Sequence, residues 1–565
     1  MPQAPAHHAP SAVPEPETKD LKAARRAARR EDYRSGHRLR TLIVGTLASL
    51  LVTFGSIGVG WLPEVSVWMR YEFVRTMRLE VPWVITSIVC ISLGAMILCR
   101  EWLRIYQKFD RWNTPGAMRW MAAVVTCWSL PQVFGFILFS RDVFSYYAQG
   151  VVSANGLDPY VHGVSSINNY LQKGADTMWA ESPPPYGPVF IKLEEFIVRM
   201  ADGNIDLGIF YFKLLATLSV IAILYFVVKI AQLQGNDPVR SLWLVGANPL
   251  FMFVYISSAH NDALMTAFMI ASLYVARRWR NLAGGIAGVS LVALGVAVKP
   301  LALIVLPFVG LLWAGKKPGW IKLFSIWALS LVILMAEMAL MGAVSGLGFG
   351  WVKALSTTTG QFILYTPLGA LLGISWMFTT PETFKTVVQP LVELFGKLVG
   401  FGGVVALAFI GRDRDIIRRA GMAIIWMLIW SPMIQSWYLM WAIPIFMATG
   451  LRSRACLVWY FFSTLFFVAY AVIDQLNVSP YLENFDGQMG RFIASIVCCV
   501  YVGYLILLDP GTNRLLRGGI RISEIRRTFW RLTIALGISE PVIRWRQRAR
   551  AKKAERAALK AGPSS

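Results

Sequence analysis

Four short polar stretches interrupt long apolar runs and hold the residues best suited to chemistry. They are Ser140-Arg141-Asp142, His260-Asn261-Asp262, Lys299-Pro300 and Gln435-Ser436-Trp437-Tyr438. A carboxylate such as Asp142 can take the proton from a hydroxyl as that hydroxyl attacks a sugar. A cation such as Lys299 can hold a phosphate and stabilise it as it leaves. These residue types together predict an enzyme that transfers a group from a phosphate leaving group.

Further side chains of the same stretches suit the binding of a sugar. The rings of Trp437, Tyr438 and Tyr186 offer flat surfaces to a sugar ring, and Asn261 and Gln435 can bond its hydroxyls. A single phosphate as leaving group requires no metal. We therefore expect a site without a metal or any other cofactor.

Each of these residues also has a purely structural interpretation. Asp142 suits the start of a helix, where aspartate is common, and His260-Asn261-Asp262 suits a turn at a membrane interface. Lys299 can extend its charge to the lipid headgroups. Trp437 and Tyr438 are typical of the aromatic belt at a membrane surface. Composition and residue type leave both interpretations open.

The elements that position these residues are membrane helices. The chain has 565 residues, of which 56% are hydrophobic and 15% charged, and its mean hydropathy is +0.52. Soluble proteins carry about 25% charged residues, and one or two soluble cores could not bury this much apolar surface. All six cysteines fall inside apolar runs, without metal-ligand spacing. The sequence predicts an all-α, polytopic membrane protein.

Apolar runs of roughly 20 residues predict about fourteen membrane spans. They cover residues 41–61, 82–100, 117–139, 207–232, 241–257, 260–276, 282–298, 300–315, 320–342, 391–411, 419–435, 436–452, 455–474 and 491–509. The runs within 241–276, 282–315 and 419–452 have almost no turn between them. Tight hairpins are expected there.

Lysine and arginine in the short loops predict the orientation, because they are enriched on the cytoplasmic side. The net charge is +23, and residues 1–40 and 510–565 supply +4 and +11 of it. We expect both basic tails to be cytoplasmic, the N-terminal one disordered and not a cleavable signal. Residues 520–560 predict a basic amphipathic segment on anionic lipid rather than on nucleic acid. The catalytic membrane domain then spans 41–509, and all four polar stretches lie at the outer face.

Two outer loops are long enough to carry function. Residues 140–206 are expected to form the catalytic loop, and a stripe of apolar residues over Tyr186–Met200 predicts an interfacial helix. Residues 343–390 are expected to be accessory, with a re-entrant or interfacial helix over Ile363–Phe378. Asp413-Arg414-Asp415 has the spacing of a metal-binding motif, but its arginine-rich cytoplasmic loop favours a solvated turn.

Several motifs together resemble a known family. They are Arg141-Asp142-Val143-Phe144-Ser145-Tyr146-Tyr147-Ala148-Gln149-Gly150, Gly156-Leu157-Asp158-Pro159-Tyr160, Pro185-Tyr186-Gly187-Pro188, His260-Asn261-Asp262-Ala263-Leu264-Met265, Val298-Lys299-Pro300 and Trp437-Tyr438-Leu439-Met440-Trp441. Their order and spacing over residues 140–445 resemble the actinobacterial polyprenol-phosphomannose-dependent α-(1→6)-mannopyranosyltransferases of lipomannan and lipoarabinomannan synthesis. The likeness favours the enzyme that starts the mannan core (MptB-like) over the one that extends it (MptA-like).

This resemblance implies a GT-C type glycosyltransferase bundle that acts at the periplasmic face of the inner membrane. The donor would be a β-linked polyprenyl-phosphate mannose and the acceptor an α-(1→6)-mannan or phosphatidylinositol mannoside. An α product from a β donor means inversion, with one base, and by position the base is Asp142. Lys299 and Arg141 would bind the donor phosphate. The sugar and acceptor residues would be Tyr147, Asp158, Tyr186, His260, Asn261, Asp262, Gln435, Trp437 and Tyr438.

Three alternatives remain open at this point. A related enzyme could use another polyprenyl-phosphate sugar such as arabinofuranose, because pocket shape decides the sugar. A flippase or transporter for lipid-linked sugar would need polar groups along a path through the membrane. A non-catalytic scaffold would depend on its basic C-terminal tail.

Overall fold

The chain is largely helical in the part that a computed structural model describes, which is residues 19–108, 116–357, 362–410 and 415–519. Its helices are α1 Lys19–Val59, α2 Glu72–Leu79, α3 Val81–Lys108, α4 Ala117–Phe134, α5 Asp142–Ala154, α6 Pro188–Ala201, α7 Ile205–Leu233, α8 Pro238–Gly246, α9 Pro249–Met252, α10 Asp262–Arg278, α11 Leu282–Val298, α12 Leu306–Ala314, α13 Trp320–Ser345, α14 Gly350–Thr357, α15 Pro367–Phe378, α16 Pro381–Thr383, α17 Gln389–Phe409, α18 Ile416–Ile429, α19 Ile443–Ala448, α20 Arg454–Asp474, α21 Gly487–Leu507 and α22 Pro510–Gly519. The predicted all-α class is confirmed.

Seven of the described helices are long and apolar enough to cross a membrane. They are Arg38–Val59, Val81–Tyr106, Ile205–Leu233, Trp320–Ser345, Pro381–Phe409, Arg454–Asp474 and Gly487–Leu507. An eighth candidate is the pair Pro238–Gly246 and Pro249–Ser257, which is bent by 59°. A multi-pass membrane protein is therefore confirmed, while the number fourteen stays a prediction.

Two of the predicted spans are wrong as continuous helices. The run 241–257 breaks between α8 and α9 because Pro249 lacks a backbone N–H and disfavours helix in the residue before it. The side chain of Asn248 instead caps the new helix at Leu250. The run 436–452 contains a 3₁₀ turn, Tyr438–Trp441, followed by only the six residues of α19.

The expected hairpin over residues 241–276 is also wrong. Helix α10 packs mainly against α7, α11 and α12, whereas α8 lies against α4, α7 and α19. The chain therefore changes direction over the four residues between the π-helical turn Phe253–Ser257 and α10, and α8 and α10 do not form an antiparallel hairpin. Those four residues include His260 and Asn261.

The N-terminal segment differs from its prediction. Helix α1 begins at Lys19, so residues 19–40 continue the first span as helix and are not disordered. Alanine, arginine and lysine dominate this stretch and are strong helix formers. The basic segment 520–560 and the residues Asp413 and Arg414 lie outside the described residues.

The helices predicted in the two long loops are present. Helix α6 buries Phe190 and Ile197 and exposes Phe196 and Met200, so its apolar stripe is shared between the bundle and its surroundings. Helix α15 covers most of the predicted run 363–378. Their positions relative to a bilayer stay predictions.

Candidate functional site

The four polar stretches meet at one end of the bundle. Asp142 begins α5, His260 and Asn261 precede α10, Lys299 follows α11, and Trp437 precedes the 3₁₀ turn. Helix α6 packs against both α5 and α11 and joins these parts from the side. The structure thus assembles residues that are up to about three hundred positions apart in the chain.

Two strained backbone positions deliver the acidic residues to the site. Phe139 has φ +65° and Ala259 has φ +54°, a left-handed conformation that costs a residue with a side chain about 1–3 kcal/mol. Each lies directly before a predicted site segment, which starts at Ser140 in one case and at His260 in the other. The strain shows that the surrounding contacts determine these two turns.

Those contacts are hydrogen bonds between the two segments. The backbone N–H of Leu138 donates to Ser257 O at 3.3 Å, and Ser258 Oγ donates to Leu138 O at 2.8 Å. Behind them, Ser257 Oγ donates to Gln132 Oε1 at 2.7 Å, and Lys213 Nζ donates to Gln132 O at 2.9 Å. This buried network fixes the start of α5 beside the start of α10.

Two carboxylates flank one imidazole at the centre of the site. His260 Nδ1 lies 3.7 Å from Asp142 Oδ2 and 3.7 Å from Asp262 Oδ2. The side chain of Asp142 is 25% exposed, whereas that of Asp262 is 0% exposed. Asp142 is therefore the carboxylate that an entering hydroxyl can reach.

The environment of Asp142 strengthens it as a base. Burial raises the pKa of Asp142 above its usual range, although the charges of His260 and Lys299 oppose the shift. The neighbouring carboxylate of Asp262 adds to the increase. A raised pKa favours proton uptake from a sugar hydroxyl.

Asp262 is held by hydrogen bonds from two neighbouring side chains. Its Oδ1 accepts hydrogen bonds from Lys299 Nζ at 2.8 Å and from Trp441 Nε1 at 2.6 Å. Its Oδ2 has no hydrogen-bond donor among the described residues. Asp262 thus neutralises Lys299, whose side chain keeps 18% exposure toward the site.

Aromatic rings surround the ammonium group of Lys299. Its Nζ lies 5.9 Å from the ring centre of Tyr186, 6.0 Å from Tyr438 and 5.4 Å from Trp441. Such distances are within the range of cation–π attraction. The rings of Tyr438 and Trp441 stack with their centres 4.2 Å apart. The rings therefore fix the position of the cation.

Close backbone contact places Tyr186 beside Lys299. The N–H of Gly187 donates to Val298 O at 3.1 Å, and a Cβ at Gly187 would lie 2.4 Å from Ala297 O. Only glycine permits this approach. The hydroxyl of Tyr160 also donates to Tyr186 O at 2.6 Å and holds the same backbone from the other side.

Two residues of the cluster were missed in the sequence. The hydroxyl of Tyr146 lies 3.4 Å from His260 Nδ1 and donates to Asn261 Oδ1 at 3.4 Å. The Nε1–H of Trp441 donates a hydrogen bond to Asp262 Oδ1. Spacing along the helix could have indicated both residues. Tyr146 lies one turn after Asp142 on the same helix face, and Trp441 ends the 3₁₀ turn that begins at Tyr438.

Glu194 on α6 is a third residue that the sequence did not mark. Its side chain is 0% exposed, and neither carboxylate oxygen has a hydrogen-bond partner in the described part of the chain. Burial raises the pKa of Glu194 well above its usual range. Burial therefore favours the protonated, uncharged form of this carboxyl group.

Three predicted residues lie away from this cluster. Arg141 donates to Gly174 O at 3.1 Å and to Ala175 O at 2.8 Å, and its guanidinium stacks 4.7 Å from the Trp61 ring centre. These contacts tie down the loop and do not support a phosphate-binding role for Arg141. Tyr147 and Asp158 are the other two residues.

The surroundings of Tyr147 and Asp158 are structural. The Tyr147 ring packs so closely on Gly208 that a Cβ there would lie 2.4 Å away. Asp158 Oδ1 accepts from the backbone N–H of Tyr160 at 2.9 Å and stabilises a turn. Neither contact supports the predicted sugar or acceptor role.

The last two predicted positions are in the segment that precedes α19. The Trp437 ring stacks on His260 with the ring centres 4.2 Å apart, so it orients the imidazole. Gln435 accepts from the Tyr438 N–H through its backbone oxygen at 3.0 Å. The sugar-binding role of its side chain stays a prediction.

Within the described ranges, no group of three or more His, Cys, Asp or Glu residues could hold a metal ion. The described cysteines are free. Independence from metals nevertheless stays a prediction. What the arrangement can do on its own is accept a proton at Asp142 and present a cation at Lys299.

Fold and site together describe a multi-pass membrane protein with a partly exposed carboxylate, Asp142, and a cation, Lys299, at one end of a helical bundle. Comparison with known families agrees. Residues 42–315 match the model of the α-(1→6)-mannopyranosyltransferase N-terminal domain, and residues 365–507 match that of the MptB C-terminal domain. The chain belongs to the α-(1→6)-mannopyranosyltransferase family and is a glycosyltransferase.

Individual relatives support the same conclusion. The chain is 27% identical over 445 residues to a probable α-(1→6)-mannopyranosyltransferase of Mycolicibacterium smegmatis, covering 72% of this chain and 78% of the relative. It is 26% identical to α-(1→6)-mannopyranosyltransferase A of Mycobacterium tuberculosis, covering 73% and 80%. For α-(1→6)-mannopyranosyltransferase B of Corynebacterium glutamicum the identity is 23%, with 71% of each chain covered. No solved structure matches the chain significantly.

Proposed function

We propose that this enzyme transfers mannose from polyprenyl-phosphate mannose to an α-(1→6)-mannan or phosphatidylinositol mannoside acceptor at the periplasmic face of the inner membrane. The observation that carries the proposal is the partly exposed carboxylate of Asp142 in one cluster with Lys299 and its ring of aromatic side chains. Relatives named for α-(1→6)-mannosyl transfer support the choice of sugar.

The proposed reaction is a single displacement with inversion. The acceptor hydroxyl attacks the anomeric carbon of the β-linked donor while Asp142 takes the hydroxyl proton. The new bond joins the acceptor oxygen to the anomeric carbon, and the bond from that carbon to the phosphate oxygen breaks. The electron pair of the broken bond goes to polyprenyl phosphate, whose charge Lys299 stabilises. Asp142 then returns the proton to water.

The aromatic rings give the sugar its place in this scheme. Tyr186, Tyr438 and Trp437 are half-buried and line the approach to Lys299 and His260. Sugar rings pack their apolar faces on such surfaces. We assign these three residues to the mannose, and Gln435 to its hydroxyls.

Mannose transfer in detergent tests the proposal. Purified full-length protein would receive labelled polyprenyl-phosphate mannose and a short α-(1→6)-mannoside with EDTA present, alongside Asp142→Asn. We expect product from the wild type and a loss of about 10²–10⁴ in kcat for the variant, since this is the usual contribution of a general base. Arg141→Gln serves as the matched control, because its side chain contacts only the neighbouring loop and Trp61 in the described structure.

The other outcomes separate the alternatives. If Asp142→Asn still transfers mannose, the protein is a mannosyltransferase but Asp142 is not its base. Transfer only from the arabinose lipid would overturn the sugar. Faster movement of labelled lipid across liposomes, with no glycan product, would establish a transporter instead. A requirement for residues 520–565 with no intrinsic turnover would favour a scaffold.

A further inference from the structure

A group of aromatic and polar side chains, here called the α20 cluster, lies outside the candidate site. Its aromatic members are Phe466 and Tyr470 of α20 and Tyr365, which lies two residues before α15. Its polar members are Asp474, which ends α20, and Arg491 of α21. The proposed reaction gives none of these five residues a role.

The α20 cluster lies at the same end of the bundle as the candidate site. Just beyond α20, the N–H of Asn477 donates to Val59 O at 3.0 Å, where α1 ends. Two residues after Val59, the N–H of Trp61 donates to Ile137 O at 2.7 Å, on the segment that leads to Asp142. The end of α20 and the start of α5 are therefore connected through the end of α1.

Tyr365 connects the α20 cluster with the segment that carries Gln435. Its hydroxyl donates to the backbone oxygen of Ile434, directly before Gln435. The next residue, Thr366, donates through Oγ1 to Pro432 O at 2.9 Å. These hydrogen bonds hold the start of α15 against that segment, so the α20 cluster adjoins the residues assigned to the mannose.

Asp474 and Arg491 present a hydrogen-bond acceptor and donors beside each other. Arg491 Nη2 lies 4.0 Å from Asp474 Oδ1 and donates to the Asp474 backbone oxygen at 3.3 Å. Gln475 Nε2 donates to Asp474 Oδ2 at 2.6 Å. The side chains of Asp474 and Arg491 are 32% and 45% exposed. Because a carboxylate accepts about four hydrogen bonds and a guanidinium has more N–H groups than these contacts use, both keep capacity for a ligand with hydroxyl groups.

The aromatic members supply a surface on which a sugar ring can pack. The rings of Phe466 and Tyr470 are nearly parallel, at 11°, with their centres 6.4 Å apart. The Tyr365 ring stands edge-on to both, with its centre 5.6 and 5.5 Å from theirs. Phe466 and Tyr365 are 49% and 38% exposed. Aromatic faces carry partial negative charge, which attracts the C–H groups on the apolar face of a hexose.

The α20 cluster lies at the end of a candidate membrane span, Arg454–Asp474. At 1.5 Å per residue, Phe466 and Tyr470 are about 12 and 6 Å from the end of that helix. The charged pair of Asp474 and Arg491 lies at the end itself. The cluster thus changes from apolar to polar along the direction of the span, which suits a glycan that is attached to a lipid.

We infer that the α20 cluster binds a hexopyranose unit of a membrane-anchored glycan acceptor, nearer to the lipid anchor than the unit that reacts at Asp142. Asp474 and Arg491 bond its hydroxyls, and Tyr365 and Tyr470 pack on its ring. The inference rests on the proposed function and refines it, because it gives the acceptor a second point of attachment. Anchoring of helix ends at a membrane surface is the other known use of such aromatic residues, and the experiment separates the two.

Kinetics of mannose transfer with acceptors of increasing length test the inference. Purified full-length protein in detergent receives polyprenyl-phosphate mannose and an α-(1→6)-linked mono-, di- or trimannoside. We expect the wild type to have a kcat/KM about tenfold or more higher for the longer acceptors than for the monomannoside, because hydrogen bonds to charged groups contribute this much. Tyr470→Ala and Asp474→Asn should each remove most of this gain, and the loss should appear in KM rather than in kcat.

Two further variants control the measurement. Tyr481→Ala is the matched control, because Tyr481 is 75% exposed between α20 and α21 and lies outside the α20 cluster. It should keep the preference of the wild type for longer acceptors. Tyr470→Phe keeps the ring and guards against a folding defect in Tyr470→Ala, and it should lose less of the gain.

The outcomes separate this inference from the proposed function. A wild type without preference for longer acceptors would overturn the inference and leave mannose transfer established. A preference that survives in both Tyr470→Ala and Asp474→Asn would do the same, and a lower thermal stability of these variants would then make the α20 cluster a membrane anchor only. If the wild type transfers mannose to none of the acceptors, the proposed function fails and the inference fails with it.

Discussion

The ion pair between Asp262 and Lys299 makes an asymmetric prediction about stability. Asp262 is 0% exposed and Lys299 is 18% exposed, and the two side chains share a hydrogen bond of 2.8 Å. Removing one partner of a buried pair costs about 3–5 kcal/mol because the other charge is left uncompensated. The two single substitutions therefore leave very different groups behind.

In Lys299→Gln the uncompensated group is the fully buried carboxylate. We expect a loss near the upper end of that range, about 4 kcal/mol. In Asp262→Asn the uncompensated group is Lys299, which reaches water, and the amide oxygen still accepts from Trp441. The expected loss is about 2 kcal/mol. In the double variant both charges are absent, so about 2 kcal/mol should be recovered relative to the sum of the two losses.

Unfolding of the three variants in one detergent, followed by tryptophan fluorescence, measures these differences. Mannose transfer by the same samples measures function. Asp262→Asn should keep measurable turnover, because Asp142 provides the base. Equal losses in the two single variants, or strict additivity in the double variant, would refute the pairing argument. A loss of kcat in Asp262→Asn as large as in Asp142→Asn, with folding intact, would transfer the role of base to Asp262.

Three further predictions concern single groups. The kcat/KM of the wild type should fall on the acid side with an apparent pKa above the usual carboxyl range, because burial raises the pKa of Asp142 and only its ionised form is a base; a pH–rate profile checks this. Tyr146→Phe should lower the kcat/KM of mannose transfer several-fold, because the Tyr146 hydroxyl donates to Asn261 Oδ1 and lies 3.4 Å from His260 Nδ1, whereas Tyr147→Phe, one residue further, should change it little; parallel kinetics of the two variants distinguish them. Glu194→Gln should stabilise the protein more at pH 8 than at pH 5. The raised pKa of Glu194 means that the wild type is most stable while this group is protonated and loses stability as the pH rises; unfolding at both pH values measures the difference.

The sequence allowed the centre of the site to be predicted because polar residues are rare in this apolar chain. Asp142, the segment 260–262 and Lys299 lie at the ends of predicted spans on one side, and the structure brings them together. The positions of polar residues in the sequence do not predict in which direction each side chain points. Whether Tyr146 or Tyr147 points to His260 depends on the rotation of α5, which its contact with α6 and α7 decides.

Other differences have local physical causes. The break at Pro249 and the short 3₁₀ turn at residues 438–441 are tertiary features inside runs that look uniformly apolar. The resemblance implied that Arg141 binds the donor phosphate, yet its guanidinium contacts the backbone oxygens of Gly174 and Ala175 and the ring of Trp61. Glu194 lies in an amphipathic helix, where a glutamate usually faces water, and burial of both its oxygens has no signature in the sequence.

The charges at the centre of the site have a consequence for product release. Whenever the imidazole of His260 is neutral, the carboxylates of Asp142 and Asp262 together outweigh Lys299 by one negative charge. In the proposed reaction the donor is a phosphodiester with one negative charge, and the lipid product is a monoester that carries up to two. Once Asp142 has returned its proton to water, like charges repel the spent lipid. The pair of carboxylates therefore makes the site bind the singly charged donor more tightly than the more highly charged lipid product.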